Sequence, residues 1–245
     1  MIDIHSHILN EVDDGSVSLD NSIEILKKAE EAGFTDIILT PHFIEGYYEN
    51  IKSEIGPKIN ELKQAVYNED IEVSLYHGNE IFLTENSPRL VYNCQIATLA
   101  NSRYVLFEVP FTTRMLNLEE IIGQFINMGC IPILAHPERF SFIQEDPKVL
   151  TKLLKMGVLA QSNYGSFMGF YGREAKKTAE YLLEKRMIQF LGSDTHRQGY
   201  IYENINKIIK KLESITKDSK YVSELTTYNP KRIIDDIDVY ADFID

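Results

Sequence analysis

Along this chain, short runs of apolar and β-branched residues alternate with longer stretches whose apolar positions recur every three or four residues. The runs fall at 1–8 (MIDIHSHI), 36–40 (DIILT), 71–76 (IEVSLY), 103–109 (RYVLFEV), 131–135 (IPILA), 157–161 (GVLAQ) and 187–192 (MIQFLG), and each reads as a strand. Between them lie helix-like segments. In 19–32, Ile23, Leu26, Ala29 and Ala32 return at three-residue steps and Gly33 stops the run. Further helices are predicted over 51–67, 117–128, 147–155, 173–186 and 200–213. The segment 81–102 is less periodic and reads as an excursion between strands. Asn229-Pro230 is a helix-start signal in the tail 228–245, which is expected to pack as a closing helix.

Seven strands alternating with helices predict a parallel α/β sheet, and seven units suit a barrel at least as well as an open sheet. The 245 residues carry no internal repeat, low-complexity tract or Gly/Ser linker, so one domain spanning 1–245 is expected. In such folds the reactive groups collect at the C-terminal ends of the strands.

Composition narrows the function classes. Hydrophobic residues make up 44% of the chain, enough for a full-sized core. Lys and Arg total 25 against 37 Asp and Glu, a formal charge of -12. That charge repels nucleic acid and anionic membranes, although bound cations would offset part of it. No run reaches the ~20 apolar residues a membrane-spanning helix needs, and MIDIHSHILNEVDDG lacks the pattern of a signal peptide. Cys94 and Cys130 are the only cysteines, so the expectation is a cytoplasmic protein without a disulfide framework.

The six histidines are His5, His7, His42, His77, His136 and His196, and five of them sit at the ends of apolar runs. His5 and His7 are two residues apart on a strand, so their side chains leave one face and can grip one ion together. Asp3 shares that face and reads as a support lying deeper. Asp13-Asp14-Gly15 follows the first run, Thr40-Pro41-His42 closes the second, and Gly78-Asn79-Glu80 follows the third. Glu108 ends the fourth, Ala135-His136-Pro137-Glu138-Arg139 the fifth and Ser193-Asp194-Thr195-His196 the seventh. Imidazoles mixed with carboxylates suit Zn, Mn or Fe. The donors outnumber what one ion can use, so two or three ions are expected.

A single histidine in such a chain is more often a core residue than a ligand. Histidines at successive strand ends, each near an acid, reverse that judgement; His77 completes no matching motif and stays with the core. Clustered metals roughly 3.5–4 Å apart support phosphoester hydrolysis by a metal-activated water. Rival chemistries fail on inspection. A cysteine phosphatase needs Arg six residues after its Cys, but Ala100 follows Cys94 and His136 follows Cys130 at that spacing. Phosphate-binding glycine loops of the nucleotide-binding kinds are missing as well. Arg139 and Arg197 lie beside the histidines and are candidate phosphate contacts through their forked donors. The aromatic stretch 164–171 reads as a loop after the sixth strand that packs against either a substrate ring or a lid; Tyr47, Tyr48 and Phe111 carry weaker versions of that reading.

These motifs, in this order, resemble the polymerase-and-histidinol-phosphatase (PHP) superfamily: Asp3-x-His5-x-His7, Asp13-Asp14-Gly15, Thr40-Pro41-His42, Glu80, Glu108, Ala135-His136-Pro137-Glu138-Arg139 and Ser193-Asp194-x-His196. The opening MIDIHSHI…DDG, the Gly-x-Glu at 78–80 and the HPERF run are most similar to one branch, the CpsB-type manganese-dependent protein tyrosine phosphatases of capsule and exopolysaccharide operons. The resemblance implies a distorted (β/α)7 TIM-like barrel with a trinuclear site. Its ligands would be His5, His7, Asp14, His42, Glu80, Glu108, His136, Asp194 and His196, with Mn²⁺ expected and Fe or Zn as alternatives. It further implies a phosphotyrosine protein as substrate, on the tail of a bacterial tyrosine autokinase that controls polysaccharide export. Two competitors remain: a small-molecule phosphomonoesterase such as a histidinol-phosphate phosphatase, and a binding module that has lost catalysis. A nuclease is disfavoured by the acidic charge.

Overall fold

The computed structural model describes residues 1–197 and 199–244. Its strands are β1 (Ile2–Ser6), β2 (Asp36–Leu39), β3 (His42–Ile44), β4 (Tyr48–Glu49), β5 (Ser74–His77), β6 (Glu80–Phe82), β7 (Tyr104–Glu108), β8 (Ile131–Ala135), β9 (Leu159–Asn163) and β10 (Phe190–Gly192). They pair as two sheets, β1-β2-β5 and β10-β9-β8-β7-β6-β3-β4, parallel throughout except for the β3–β4 hairpin.

The two sheets belong to one distorted ring of seven staves. Pro41 has no N–H to give a ladder, and the second stave breaks there into β2 and β3. The third breaks at Gly78-Asn79 into β5 and β6. On the far side, β1 meets the chain that follows β10. The backbone N–H of Asp194 donates to the His5 carbonyl at 2.9 Å, and that of His7 to Thr195 at 2.8 Å. The architecture is thus the distorted (β/α)7 arrangement that the family resemblance implied, one of the two the strand pattern allowed.

Each expected helix is present: Leu19–Glu31, Lys52–Asn68, Leu118–Asn127, Lys148–Lys155, Gly172–Glu184 and Tyr200–Thr216. The first is capped by Ser18, whose side chain accepts the Asn21 N–H at 3.1 Å. Apolar side chains form two layers. One cluster joins Ile4, Ile38, Tyr104, Leu106, Ile133 and Phe190; a larger one packs helix residues such as Leu26, Leu62, Phe125 and Ile205 against the strands.

Three expectations need adjustment. The sixth strand runs past its apolar run to Asn163, and Gln161, Ser162 and Asn163 are all buried. The stretch 164–171 begins as a helix, Tyr164–Met168, because Tyr164 and Phe167 turn into the core. The closing helix covers only Asn229–Ile234. Beyond it Arg103 binds the Asp236 and Asp238 carboxylates, and the Tyr104 hydroxyl donates to the Ile237 carbonyl at 2.7 Å, pinning the tail under β7. Among the described residues no helix is long and apolar enough to cross a membrane.

Candidate metal centre

All nine residues marked as ligands in the sequence lie at one end of the ring. His5 and His7 come from β1 and its exit, His42 begins β3, Glu80 begins β6 and Glu108 ends β7. His136 follows β8, and Asp194 and His196 follow β10. His136 (φ 35°) and Asp194 (φ 51°) both hold left-handed backbone conformations, which cost a non-glycine residue free energy and concentrate at functional sites. Asp14 arrives on the first loop, folded tightly under His7. A Cβ on Gly15 would fall 2.1 Å from the His7 carbonyl oxygen, so only glycine allows that approach.

The donor atoms converge on Glu80. One of its oxygens lies 2.8 Å from His136 Nε2; the other lies 3.0 Å from His42 Nδ1 and 3.3 Å from the Nε2 atoms of both His5 and His7. The same two Nε2 atoms stand 3.2 Å apart, and Asp194 Oδ1 is 3.6 and 3.5 Å from them. Glu108 reaches His42 at 3.4 Å, while Asp14 Oδ1 stands 3.4 Å from His196 Nε2 and 3.7 Å from His42 Nε2. Three overlapping groups each have the spacing of a cation cage: His7, Asp14, His42 and His196; His5, His7 and Glu80; His42, Glu80 and Glu108.

The electrostatics fit cations. Glu80 Oε2 and His42 Nδ1 are buried without a hydrogen-bond partner among the described residues, a cost that metal coordination removes. Burial opposes charge on His5, yet the Glu80 and Asp194 carboxylates outweigh it and hold the imidazole up at about 10. His42 is held up at about 9 in the same way, by Glu80 and Glu108. Burial, then the Glu80 charge, pushes Glu108 up to about 8. A cluster this rich in acceptors gathers protons, and bound cations would displace them.

Supporting residues orient the donors, and most of them are invisible to motif reading. His7 Nδ1 donates to Asp13 at 2.8 Å, and His5 Nδ1 donates to the Gln161 side chain at 2.8 Å, so each ring turns Nε2 toward Glu80. Asp3 has the deeper supporting place expected of it. It accepts the Tyr202 hydroxyl at 2.7 Å and the Ser193 N–H at 3.0 Å, tying β1 to the loop after β10. Asn163 donates to Asp194 at 2.7 Å. Glu138, inside the His-Pro-Glu-Arg run, is no donor to the cluster. It is fully buried and accepts from the Ser162 hydroxyl, the Asn163 N–H and the Ser166 hydroxyl. The legible trace of Gln161 and Asn163 was a polar Gln-Ser-Asn where other apolar runs end in ligands.

Arg139 donates to Asp194 Oδ2 at 2.9 Å, with its guanidinium 4.7 Å from the Phe111 ring centre and 4.3 Å from that of Tyr171. Arg197 is exposed and donates to the Asp14 carbonyl at 3.1 Å. Phe111 also stacks near His136 at 5.7 Å, and Tyr48 lies over His42 at 6.3 Å. His77 takes no part in the three groups; burial drops it to about 4.

Residues 1–235 match the family model for capsular polysaccharide synthesis proteins, CpsB/CapC. The tyrosine-protein phosphatase YwqE of Bacillus subtilis is 34% identical over 196 residues, covering 80% of this chain and 77% of its own. The tyrosine-protein phosphatase CpsB of Streptococcus pneumoniae is 29% identical over 245 residues, covering 96% and 99%. A crystal structure from work on those two proteins, described as unique metal-dependent tyrosine phosphatases, superimposes with a TM-score of 0.92 at 29% identity, covering 99% of this chain and 97% of that one. An amidohydrolase from Mycoplasma synoviae superimposes at 0.64 with 15% identity, a likeness of fold alone.

Proposed function

The chain belongs to the CpsB/CapC capsular polysaccharide synthesis family, and on that premise we propose that it is a metal-dependent protein tyrosine phosphatase. The observation that carries the reading is the set of three overlapping donor groups at the strand ends, joined through His7, His42 and Glu80. Two or three divalent ions are proposed there, held by His5, His7, Asp14, His42, Glu80, Glu108, His136, Asp194 and His196, with Mn²⁺ as the working choice. Such ions, when bound, supply Lewis acidity toward phosphate oxygens and a water acidic enough to lose its proton near neutral pH.

The chain's own groups do the rest. Gln161 and Asp13 fix the tautomers of His5 and His7, so that lone pairs rather than N–H groups face the centre. Arg139, its guanidinium over the Phe111 and Tyr171 rings, is proposed to engage a phosphate oxygen, as is Arg197 at the rim. A positioned guanidinium opposite developing phosphoryl charge lowers the barrier electrostatically. Neither cysteine enters this scheme: Cys94 is exposed, and burial pushes the Cys130 thiol up.

The substrate is proposed to be phosphotyrosine on a bacterial tyrosine autokinase, met in the cytoplasm. A histidinol-phosphate phosphatase would share the donor set, but the relatives named above favour the protein substrate. The test compares metal-loaded protein on a phosphotyrosyl peptide and on histidinol phosphate. Preference for the peptide is expected, and an order-of-magnitude preference for histidinol phosphate would overturn the choice.

A further inference from the structure

Beside Asp194 and His196 opens a cavity of about 580 Å³, whose apolar side is formed by Phe170, Tyr171, Tyr200 and Ile201. Phe170 and Tyr200 are 46% and 50% exposed, and their ring centres lie 5.2 Å apart at 50°. Single exposed aromatics need no explanation, but a touching pair at the mouth of a polar centre marks a binding surface. The rings are seated rather than loose. A Cβ on Gly165 would lie 2.9 Å from the Phe170 ring and 3.3 Å from both Ile201 and Tyr171, so these side chains rest directly on the backbone of the helix Tyr164–Met168. Tyr171 continues the surface inward, its hydroxyl donating to Asp194 Oδ2 at 3.4 Å beneath the Arg139 guanidinium. One continuous surface therefore runs from exposed aromatic rings to two of the proposed metal ligands.

We infer that Phe170 and Tyr200 form the wall against which the phenyl ring of phosphotyrosine packs, with its phosphate directed to Asp194 and His196. The inference rests on the phosphatase reading above and assigns the specificity-determining residues of that site. Tilted rings favour an aromatic guest, which finds offset and edge contacts that an alkyl group cannot make. A phenyl spacer also carries the phosphate inward while the peptide backbone stays at the rim. A serine or threonine phosphate would have to bring its backbone into the cavity.

The test is binding of benzylphosphonate and methylphosphonate to metal-loaded protein by calorimetry, in wild type and in a Phe170→Ala/Tyr200→Ala double variant. The wild type is expected to prefer the aryl ligand. The double variant should lose about three- to tenfold of that preference per ring, with methylphosphonate affinity unchanged. Tyr200→Phe should keep the wild-type ratio. A double variant with the wild-type ratio overturns the wall, and so does equal weakening of both ligands, which would mean that the rings only support the metal centre. Both rings are half exposed, so truncation spares the core, and circular dichroism checks the fold. Turnover of a phosphotyrosyl peptide by wild type is read separately: its failure with an intact aryl preference sinks the phosphatase reading and leaves the wall standing.

Discussion

His7 donates through Nδ1 to Asp13 Oδ2 at 2.8 Å, and that same oxygen accepts the backbone N–H of His42 at 3.0 Å. One carboxylate thus aims the ring of one proposed ligand and fixes the chain of another. Asp13→Ala should leave the ring fold intact and weaken metal affinity about 10- to 100-fold, the usual effect of removing a hydrogen-bond partner behind a ligand. Chelator competition measures it; wild-type affinity would dismiss Asp13 as a support.

Glu80 Oε2 faces three imidazoles at 3.0 to 3.3 Å. Glu80→Gln keeps the shape and removes the charge, so metal content and turnover should both collapse while the protein stays folded. Elemental analysis beside circular dichroism checks this. A variant that retains a full metal complement removes Glu80 from the ligand set.

Arg139 is bonded to Asp194 with its guanidinium over two aromatic rings, and its proposed role is to engage substrate phosphate as well as to form the ion pair. Arg139→Ala should bind metal nearly as wild type yet lose about 10²–10³ in kcat/KM. Arg139→Lys should not restore it, because an ammonium lacks the planar fork. Wild-type efficiency in the alanine variant would limit Arg139 to a structural ion pair.

Stripping the metal should reveal a pH dependence of defined sign. His5 and His42 sit at about 10 and about 9 against an ordinary 6.5, and Glu108 at about 8 against 4.5. All three bind protons more tightly folded than unfolded. Their stabilisation is full at low pH and is lost as pH rises, first through the Glu108 range and then through about 9 to 10 for the imidazoles. Among the imidazoles whose shift is resolved, His136 and His77 are held low by burial and act in the opposite sense, but only below the ordinary 6.5, outside this range. The melting temperature of chelator-treated protein should therefore fall from neutral toward alkaline pH, while metal affinity rises over the same range because ions no longer compete with protons. A melting temperature that rises would contradict the electrostatics drawn here.

Much of this protein was readable from its sequence, for physical reasons. The alternation of β-branched runs with three- and four-residue periodicity determined seven staves and their helices, because buried faces impose those periods. Histidines and acids at the ends of the runs pointed to a metal centre, since parallel strands all present their C-terminal ends on one side, and the family resemblance implied which nine of them are ligands. What the chain could not disclose depends on distances across the fold. Gln161 reaches His5 from 156 residues away, and Tyr202 reaches Asp3 from 199. Their side chains carry no signature of the role, and only the closing of β10's exit onto β1 supplies the partner. The same holds for the aromatic stretch. Sequence could not divide Tyr164 and Phe167, fully buried, from Phe170, half exposed beside Tyr200, because a one-turn helix and the packing of Gly165 decide which rings face the core and which face the cavity.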